Sequence, residues 1–221
     1  MTARAAKNRG ASMFIKCLKV GQIETNCYIA CDKVENKAVI IDPGADAPRI
    51  IAALEETGCT ADYLLLTHGH ADHMLAARAV LAATGAKLAV FAGELSFLND
   101  PDQTLYRRMA AEPFTPFVPD KLLEDGETIL FGGTELTVMH TPGHTHGSCC
   151  FCSRDTMFSG DTLFRESYGR TDLSTGSEAE LGESLKRIFA LPGDLQVLPG
   201  HGEFTTLAHE RTHNPFFRGR I

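Results

Sequence analysis

The segment His68-Gly69-His70-Ala71-Asp72-His73 comes one residue after the apolar run 63–66 and holds four metal-binding side chains within six positions. A zinc or iron ion takes neutral imidazole nitrogens and carboxylate oxygens at about 2.0 to 2.2 Å, roughly four to six per ion. One hexapeptide cannot surround two such ions. The missing groups stand far along the chain: His144 in His140-Thr141-Pro142-Gly143-His144-Thr145, Asp161 in Ser159-Gly160-Asp161-Thr162, and His201 in Pro199-Gly200-His201-Gly202. The fold must therefore gather loops from both halves of the chain. Each of these segments follows a strand-like run, and Gly69, Gly143, Gly160 and Gly200 permit the tight turns that aim side chains into one cavity. At a strand end, His68 and His70 project to the same side and can chelate one ion together. Asp72 and His73 lie beyond a bend into a helix and point to a second position.

Periodicity predicts strands over 14–20, 26–31, 38–41, 63–66, 88–91, 129–131, 135–140, 148–152 and 196–198. Helices alternate with several of them. Asp46 caps one that carries Ile50, Ile51 and Leu54 and stops at Gly58. A second leads from His73 through Leu75, Ala79 and Val80 to Gly85. Ser177-Glu178-Ala179-Glu180 has capping-box spacing and opens a third, whose Leu181, Leu185, Ile188 and Phe189 form an apolar stripe for the core. The segment 99–121, with Pro101, Pro113, Pro116 and Pro119, is too rich in proline for one helix and reads either as a flap near the site or as a surface connection.

The 221 residues suit one domain over 13–221, preceded by a flexible tail over 1–12. A net charge of -7 argues against a broad nucleic-acid-binding surface. No stretch approaches the ~18 apolar residues of a membrane span. Arg4, Lys7 and Arg9 are followed by no apolar run of the kind an export signal needs, so a cytoplasmic location is expected. Cys17, Cys27, Cys31, Cys59, Cys149, Cys150 and Cys152 read as reduced, buried thiols. Within a strand, Cys150 and Cys152 share one face and Cys149 takes the other, which favours core packing over soft-metal binding.

The pattern His-x-His-x-Asp-His, continued by His144, Asp161 and His201 after strands, resembles the metallo-β-lactamase fold superfamily, and within it the short bacterial glyoxalase II-like (hydroxyacylglutathione hydrolase-like) hydrolases. Ile41-Asp42-Pro43-Gly44, Gly169-Arg170-Thr171-Asp172 and the segment 210–215 extend the resemblance over about 13–215. It implies an α/β fold: an αββα sandwich of two mixed sheets flanked by helices, with the site along one edge. It also implies that His68, His70 and His144 hold one of two divalent metal ions, that Asp72, His73 and His201 hold the other, and that Asp161 bridges both. Zinc is the first choice of metal, with iron or manganese as alternatives. A water between two such ions ~3.5 to 4 Å apart loses its proton near neutral pH, giving hydrolysis without a side-chain nucleophile. Asp72 and Asp161 are the catalytic carboxylates of this scheme, Asp72 as a ligand first and a proton acceptor second. The implied substrate is a small acyl thioester of the hydroxyacylglutathione (lactoylglutathione) type, whose thiolate leaves without a strong general acid.

Arg165, Tyr168 and Arg170 follow Asp161 closely and read as substrate-binding, although an ion pair with Asp172 is the plainer role for Arg170. Asp42 either accepts a hydrogen bond from a ligand imidazole and fixes its tautomer, or stabilises its own turn. His140 and His146 fall outside the ligand pattern, and His209 and His213 read as solvent-facing. A mononuclear-iron persulfide dioxygenase is the alternative, because such enzymes share the framework and bind iron at the positions of His68, His144 and Asp161. A β-lactamase fits less well, since the common subclass carries cysteine where Asp161 stands. Only twenty residues follow His201, too few for the helical domain of the larger glyoxalase II enzymes.

Overall fold

Alternation along the central strands divides their side chains between two cores. The computed structural model describes residues 13–218, so the tail expected over 1–12 lies outside the described residues. The first sheet comprises β1 (Phe14–Val20), β2 (Thr25–Asp32), β3 (Lys37–Ile41), β4 (Thr60–Leu66), β5 (Lys87–Phe91) and β6 (Lys121–Leu123), in that spatial order. Its first three strands are antiparallel and its last four parallel. On β2, Cys27, Ile29 and Cys31 face one core while Tyr28 and Ala30 face the other; on β3, Ala38 and Ile40 oppose Val39 and Ile41. A strand buried on both faces reads as a continuous apolar run.

The second half supplies β7 (Thr128–Phe131), β8 (Thr134–His140), β9 (Cys149–Cys152) and β10 (Thr156–Gly160), then a small hairpin, β11 (Leu163–Phe164) with β12 (Ser167–Tyr168), and finally β13 (Gln196–Pro199) and β14 (Thr205–Thr206). The second sheet has the order β14-β13-β10-β9-β8-β7, with β10 and β13 parallel. The two sheets meet face to face through Tyr28, Ile41 and Leu65 on one side and Phe131, Phe151, Phe158 and Leu198 on the other. Tyr28 meets Phe158 edge to face at 5.2 Å. Outside the first sheet lie α1 (Ala47–Thr57), α2 (Ala71–Met74) and α3 (Ala77–Thr84), with Ile50, Leu54 and Val80 buried. Two further helical turns, α4 (Leu95–Leu98) and α5 (Tyr106–Met109), lie between β5 and β6 in the chain. Outside the second sheet lie α6 (Glu178–Phe189) and α7 (Leu207–His213). Leu181, Leu185 and Ile188 of α6 are at most 1% exposed, and each contributes about 1.5–3 kcal/mol by burial. The αββα sandwich expected from the sequence is the fold observed.

Two local expectations change, and two others become specific. Asp46 stands at the start of α1 with φ 57°, and its carboxylate bonds the Gly21 N–H instead of the helix. The helix expected to run from His73 to Gly85 is broken into α2 and α3, because the Ala76 N–H turns to the Pro43 carbonyl. At that break Gly44 packs so closely that a Cβ there would lie 1.6 Å from the Asp72 carbonyl oxygen. Strand β10, expected before Asp161 but absent from the ranges above, is fully buried, with Thr156, Ser159 and Gly160 interrupting its apolar pattern. The proline-rich segment is a pinned connection: the Asn99 amide bonds the Phe117 backbone in both directions, and the Thr104 carbonyl accepts from Ala71 at the start of α2. Ser177 caps α6 through the Glu180 N–H as expected. All seven cysteines are free; Cys149 packs between the sheets, while Cys150 and Cys152 pack toward α6. Among the described residues no helix is long and apolar enough to cross a membrane.

Candidate metal centre

Every candidate ligand follows the carboxyl end of a strand: the hexapeptide after β4, His144 after β8, Asp161 after β10 and His201 after β13. The strand ends bring them together. Three groups gather, each with its ligand atoms within 4.8 Å of one another: His68, His70 and His144; Asp72, His73 and His201; and, between them, His68, His73 and Asp161. The rings of His68, His70 and His144 stand 4.7 to 4.9 Å apart. Asp161 reaches both sides, with Oδ1 3.4 Å from His73 Nε2 and Oδ2 3.6 Å from His144 Nε2 and 3.8 Å from His201 Nε2. Asp72 Oδ2 lies 3.1 Å from His201 Nε2 and 3.4 Å from His73 Nε2. Gly200 is dictated by this crowding, since a Cβ there would sit 2.3 Å from Asp161 Oδ1.

Hydrogen-bond partners fix the imidazole protons. A carbonyl only accepts, so His144 Nδ1, 2.9 Å from the Arg170 carbonyl, carries hydrogen. His201 Nδ1 faces the Ile23 carbonyl at 3.3 Å in the same way. His73 Nδ1 donates to Asp42 Oδ2 at 2.9 Å. The Thr67 hydroxyl donates to Asp42 at 2.7 Å, which leaves its oxygen to accept from His68 Nδ1 at 3.1 Å. In the neutral rings, each Nε2 of these four histidines is therefore a lone pair, and outer partners of this kind orient metal ligands. The buried Nε2 atoms of His68 and His73 and Oδ1 of Asp161 have no hydrogen-bond partner. Lone pairs converging on one another and on carboxylate oxygens repel unless a cation lies among them, so this donor set fits divalent metal ions.

Electrostatics divide the two groups. Burial, followed by the neighbouring imidazoles, holds His68 well below the usual histidine range and brings His70 to about 3, so both are neutral donors. Burial also pulls His73 down, but Asp72, Asp161 and Asp42 outweigh it and hold the ring well above that range. His201 is raised as Asp72 and Asp161 overcome its burial. Burial opposes ionisation of Asp72, yet His73 and His201 hold its carboxyl far below the usual range. The carboxylate-rich group thus favours positive charge, which a bound cation supplies.

Asp42, only 1% exposed, accepts from the ring of the candidate ligand His73 and also from Thr67, so its contacts reach beyond its own turn. His140 stacks on Phe91 and bonds the His146 carbonyl, apart from the cluster. His213 is exposed, whereas His209 is half-buried and bonded to Glu166. Of the expected substrate residues, Arg165 pairs with Glu203 and Arg170 with Asp172 through two bonds of 2.7 Å. Tyr168 packs against the core beneath α6.

Sequence reasoning missed the backbone carbonyls of Arg170 and Ile23, which carry no side-chain signal. It also missed Asn26 and Tyr28, which bond the Pro199 carbonyl below His201. Thr67, next to the hexapeptide, and Glu94, a lone acid in the apolar stretch 91–98, were legible as anomalies. Burial pushes the Glu94 carboxyl up to about 7, against the pull of the Gly69 and Gly147 N–H groups and the Thr145 hydroxyl.

Known proteins resemble this chain in sequence and fold. The hydroxyacylglutathione hydrolase GloC of Haemophilus influenzae is 32% identical over 212 residues, covering 94% of this chain and all of that protein. The B3 metallo-beta-lactamase BLEG-1 superposes with a TM-score of 0.86 at 37% identity, over 93% of this chain and 100% of its own. A protein solved in a di-iron-bound form superposes at 0.81 with 34% identity, over 91% and 99% of the two chains. The family model for the Metallo-beta-lactamase superfamily matches residues 20–201, and the chain belongs to that superfamily.

Proposed function

We propose that this protein is a metal-dependent thioesterase that hydrolyses acyl thioesters of the hydroxyacylglutathione type with a pair of divalent cations, zinc foremost. The observation that carries the reading is the set of Nε2 lone pairs on His68, His73, His144 and His201, fixed by their Nδ1 partners and facing one another, Asp72 and Asp161. When bound, the cation pair supplies a water acidified to near neutral pH and a Lewis acid for the substrate carbonyl. His68, His70 and His144 hold one position, Asp72, His73 and His201 the other, and Asp161 is shared. Asp72 lies beside the part-exposed His201, and its carboxylate, which His73 and His201 hold ionised, would act as a ligand and as a hydrogen-bond acceptor. Asp42 and the Arg170 carbonyl keep the ligand rings in register throughout. A thiolate leaves unaided, so no dedicated acid is needed at the far side of the scissile bond.

Arg165 and Arg170 offer cationic recognition for a carboxylate-bearing thiol carrier, each exchanging its present acid for one on the substrate. Tyr168, in strand β12 of the hairpin and packed on the core beneath α6, supports the loop that carries Arg165. The substrate is a diffusible small molecule, and seven reduced cysteines fit a cytoplasmic site of action.

The likeness to BLEG-1 favours a second reading, β-lactam opening, which is also hydrolytic attack on a carbonyl. Turnover of S-lactoylglutathione, a β-lactam and a glutathione persulfide on the metal-loaded protein separates the readings. Thioester hydrolysis with the highest kcat/KM is expected. Preferential β-lactam opening would favour the second reading, and one iron per chain with rapid oxygen uptake would replace both with a persulfide dioxygenase.

A further inference from the structure

Glu94 ends the short 3-10 turn after β5, is 2% exposed, and lies outside every candidate ligand group. Its Oε1 accepts from the Gly69 N–H at 2.8 Å, in the middle of His68-Gly69-His70. Both of its oxygens accept from the Thr145 hydroxyl, at 2.9 and 3.0 Å, directly after His144. The Gly147 N–H bonds it too, and the approach is so close that a Cβ on Gly147 would lie 2.4 Å from Oε2. Ser148 completes the arrangement: its oxygen accepts from the Thr145 N–H at 3.0 Å, and its hydroxyl meets Thr145 Oγ1 at 2.8 Å. The Thr145 proton goes to Glu94, so the Ser148 proton goes to Thr145. Among the described residues Glu94 has no ion-pair partner; only donors surround it. A carboxylate is the one side chain of this size that accepts from all of them.

The loops it joins belong to different sheets, one following β4 and the other β8, and they carry the three histidines of one metal position. The second position is held by other contacts: Ala71 to Thr104, His73 to Asp42, and the His201 loop to Asn26 and Tyr28. We propose that Glu94 is a positioning residue that clamps the His68–His70 loop to the His144 loop and so sets cation affinity at the three-histidine position, but not at its neighbour. This rests on the assignment of the paired cations made above.

Glu94→Gln keeps the shape but replaces one accepting oxygen with an N–H donor that must face Gly69, Thr145 or Gly147. Removing such an outer partner typically costs about 10- to 100-fold in metal affinity. Titration of the metal-free protein with Co2+, followed by absorption and by metal content, reads this out independently of turnover. Asp32→Asn is the control for general damage, since Asp32 is likewise buried and bonded to the N–H groups of Val34, Glu35 and Gly133, and lies away from the ligands. His144→Ala supplies the spectrum of the protein with only the other position filled.

The expected result is two Co2+ per chain for wild type and Asp32→Asn. For Glu94→Gln, one Co2+ should bind normally and one at least about tenfold more weakly, the first giving the His144→Ala spectrum. Thr145→Val removes one donor to the carboxylate and should show the same selective loss, more weakly, which keeps the test open if Glu94→Gln does not fold. Wild-type affinity at both positions in the two variants, or equal loss at both, would overturn the clamp while leaving the metal centre intact. A wild type that binds no Co2+ would remove the centre and the clamp together.

Discussion

The two candidate metal positions lie side by side yet are built from opposite chemistry. One is three imidazoles, His68, His70 and His144, each at most 3% exposed. Burial depresses His68 and His70 and leaves them neutral. The other pairs Asp72 with His73 and the half-exposed His201, and its carboxylates draw positive charge strongly enough to reverse the effect of burial on both rings. One position selects by ligand type, the other also attracts by charge. Asp161 faces histidines of both, so the candidate site reads as one unit with a drier, neutral side and a more open, anionic side.

Removing Asp161 should have the largest effect, because it touches both positions. Asp161→Ala is expected to lower metal content at each and to reduce kcat by more than the about 100-fold typical of losing an outer partner. Wild-type turnover of the reloaded variant would contradict the shared role. Next comes Asp42→Asn, which should weaken cation binding about 10- to 100-fold and more at the His73 side than at the three-histidine side. Equal loss at both would show Thr67 to be as important a route as the direct bond. Limited chelation should strip the ion beside the half-exposed His201 first and leave about one ion per chain among the three histidines; metal analysis at intermediate times would show the reverse order if exposure does not govern release.

Smaller effects lie outside the ligands. Arg165→Ala should raise KM for S-lactoylglutathione up to about fivefold, the scale of an exposed ion pair, with kcat and metal content unchanged. A fall in kcat of similar size would move Arg165 into the chemistry. Asp32 should affect neither position. Burial pushes its carboxyl up, but the N–H groups of Glu35, Gly133 and Val34 and the Thr134 hydroxyl together hold it below the ordinary value. Its contribution to stability is then fully present above the unfolded pKa of about 3.9 and is lost as pH falls through the lower folded value. Denaturation of Asp32→Asn and wild type should therefore differ above about pH 4 and converge in stronger acid; a constant difference would contradict the linkage.

The αββα architecture was readable because buried strands such as β2 and β3 are apolar without interruption, and because the ligands sit at the ends of such runs. What escaped has physical causes. Strand β10 hides behind Thr156 and Ser159, whose polar groups find partners inside the fold. The broken helix after His73 depends on the approach of Gly44 to the Asp72 carbonyl, a contact between distant segments. The seven candidate ligands were visible as residue types, but their protons were not: those are set by Asp42, Thr67 and two backbone carbonyls brought in by the tertiary fold. Arg170 makes the point plainly, since its side chain drew notice while its carbonyl holds His144.

Anomalous diffraction from crystals of the metal-loaded protein, combined with metal analysis, tests the paired centre most directly. Two peaks are predicted, one among His68, His70 and His144 and one among Asp72, His73 and His201, with Asp161 between them. A single ion, or ions bound elsewhere while these side chains turn away, would contradict it.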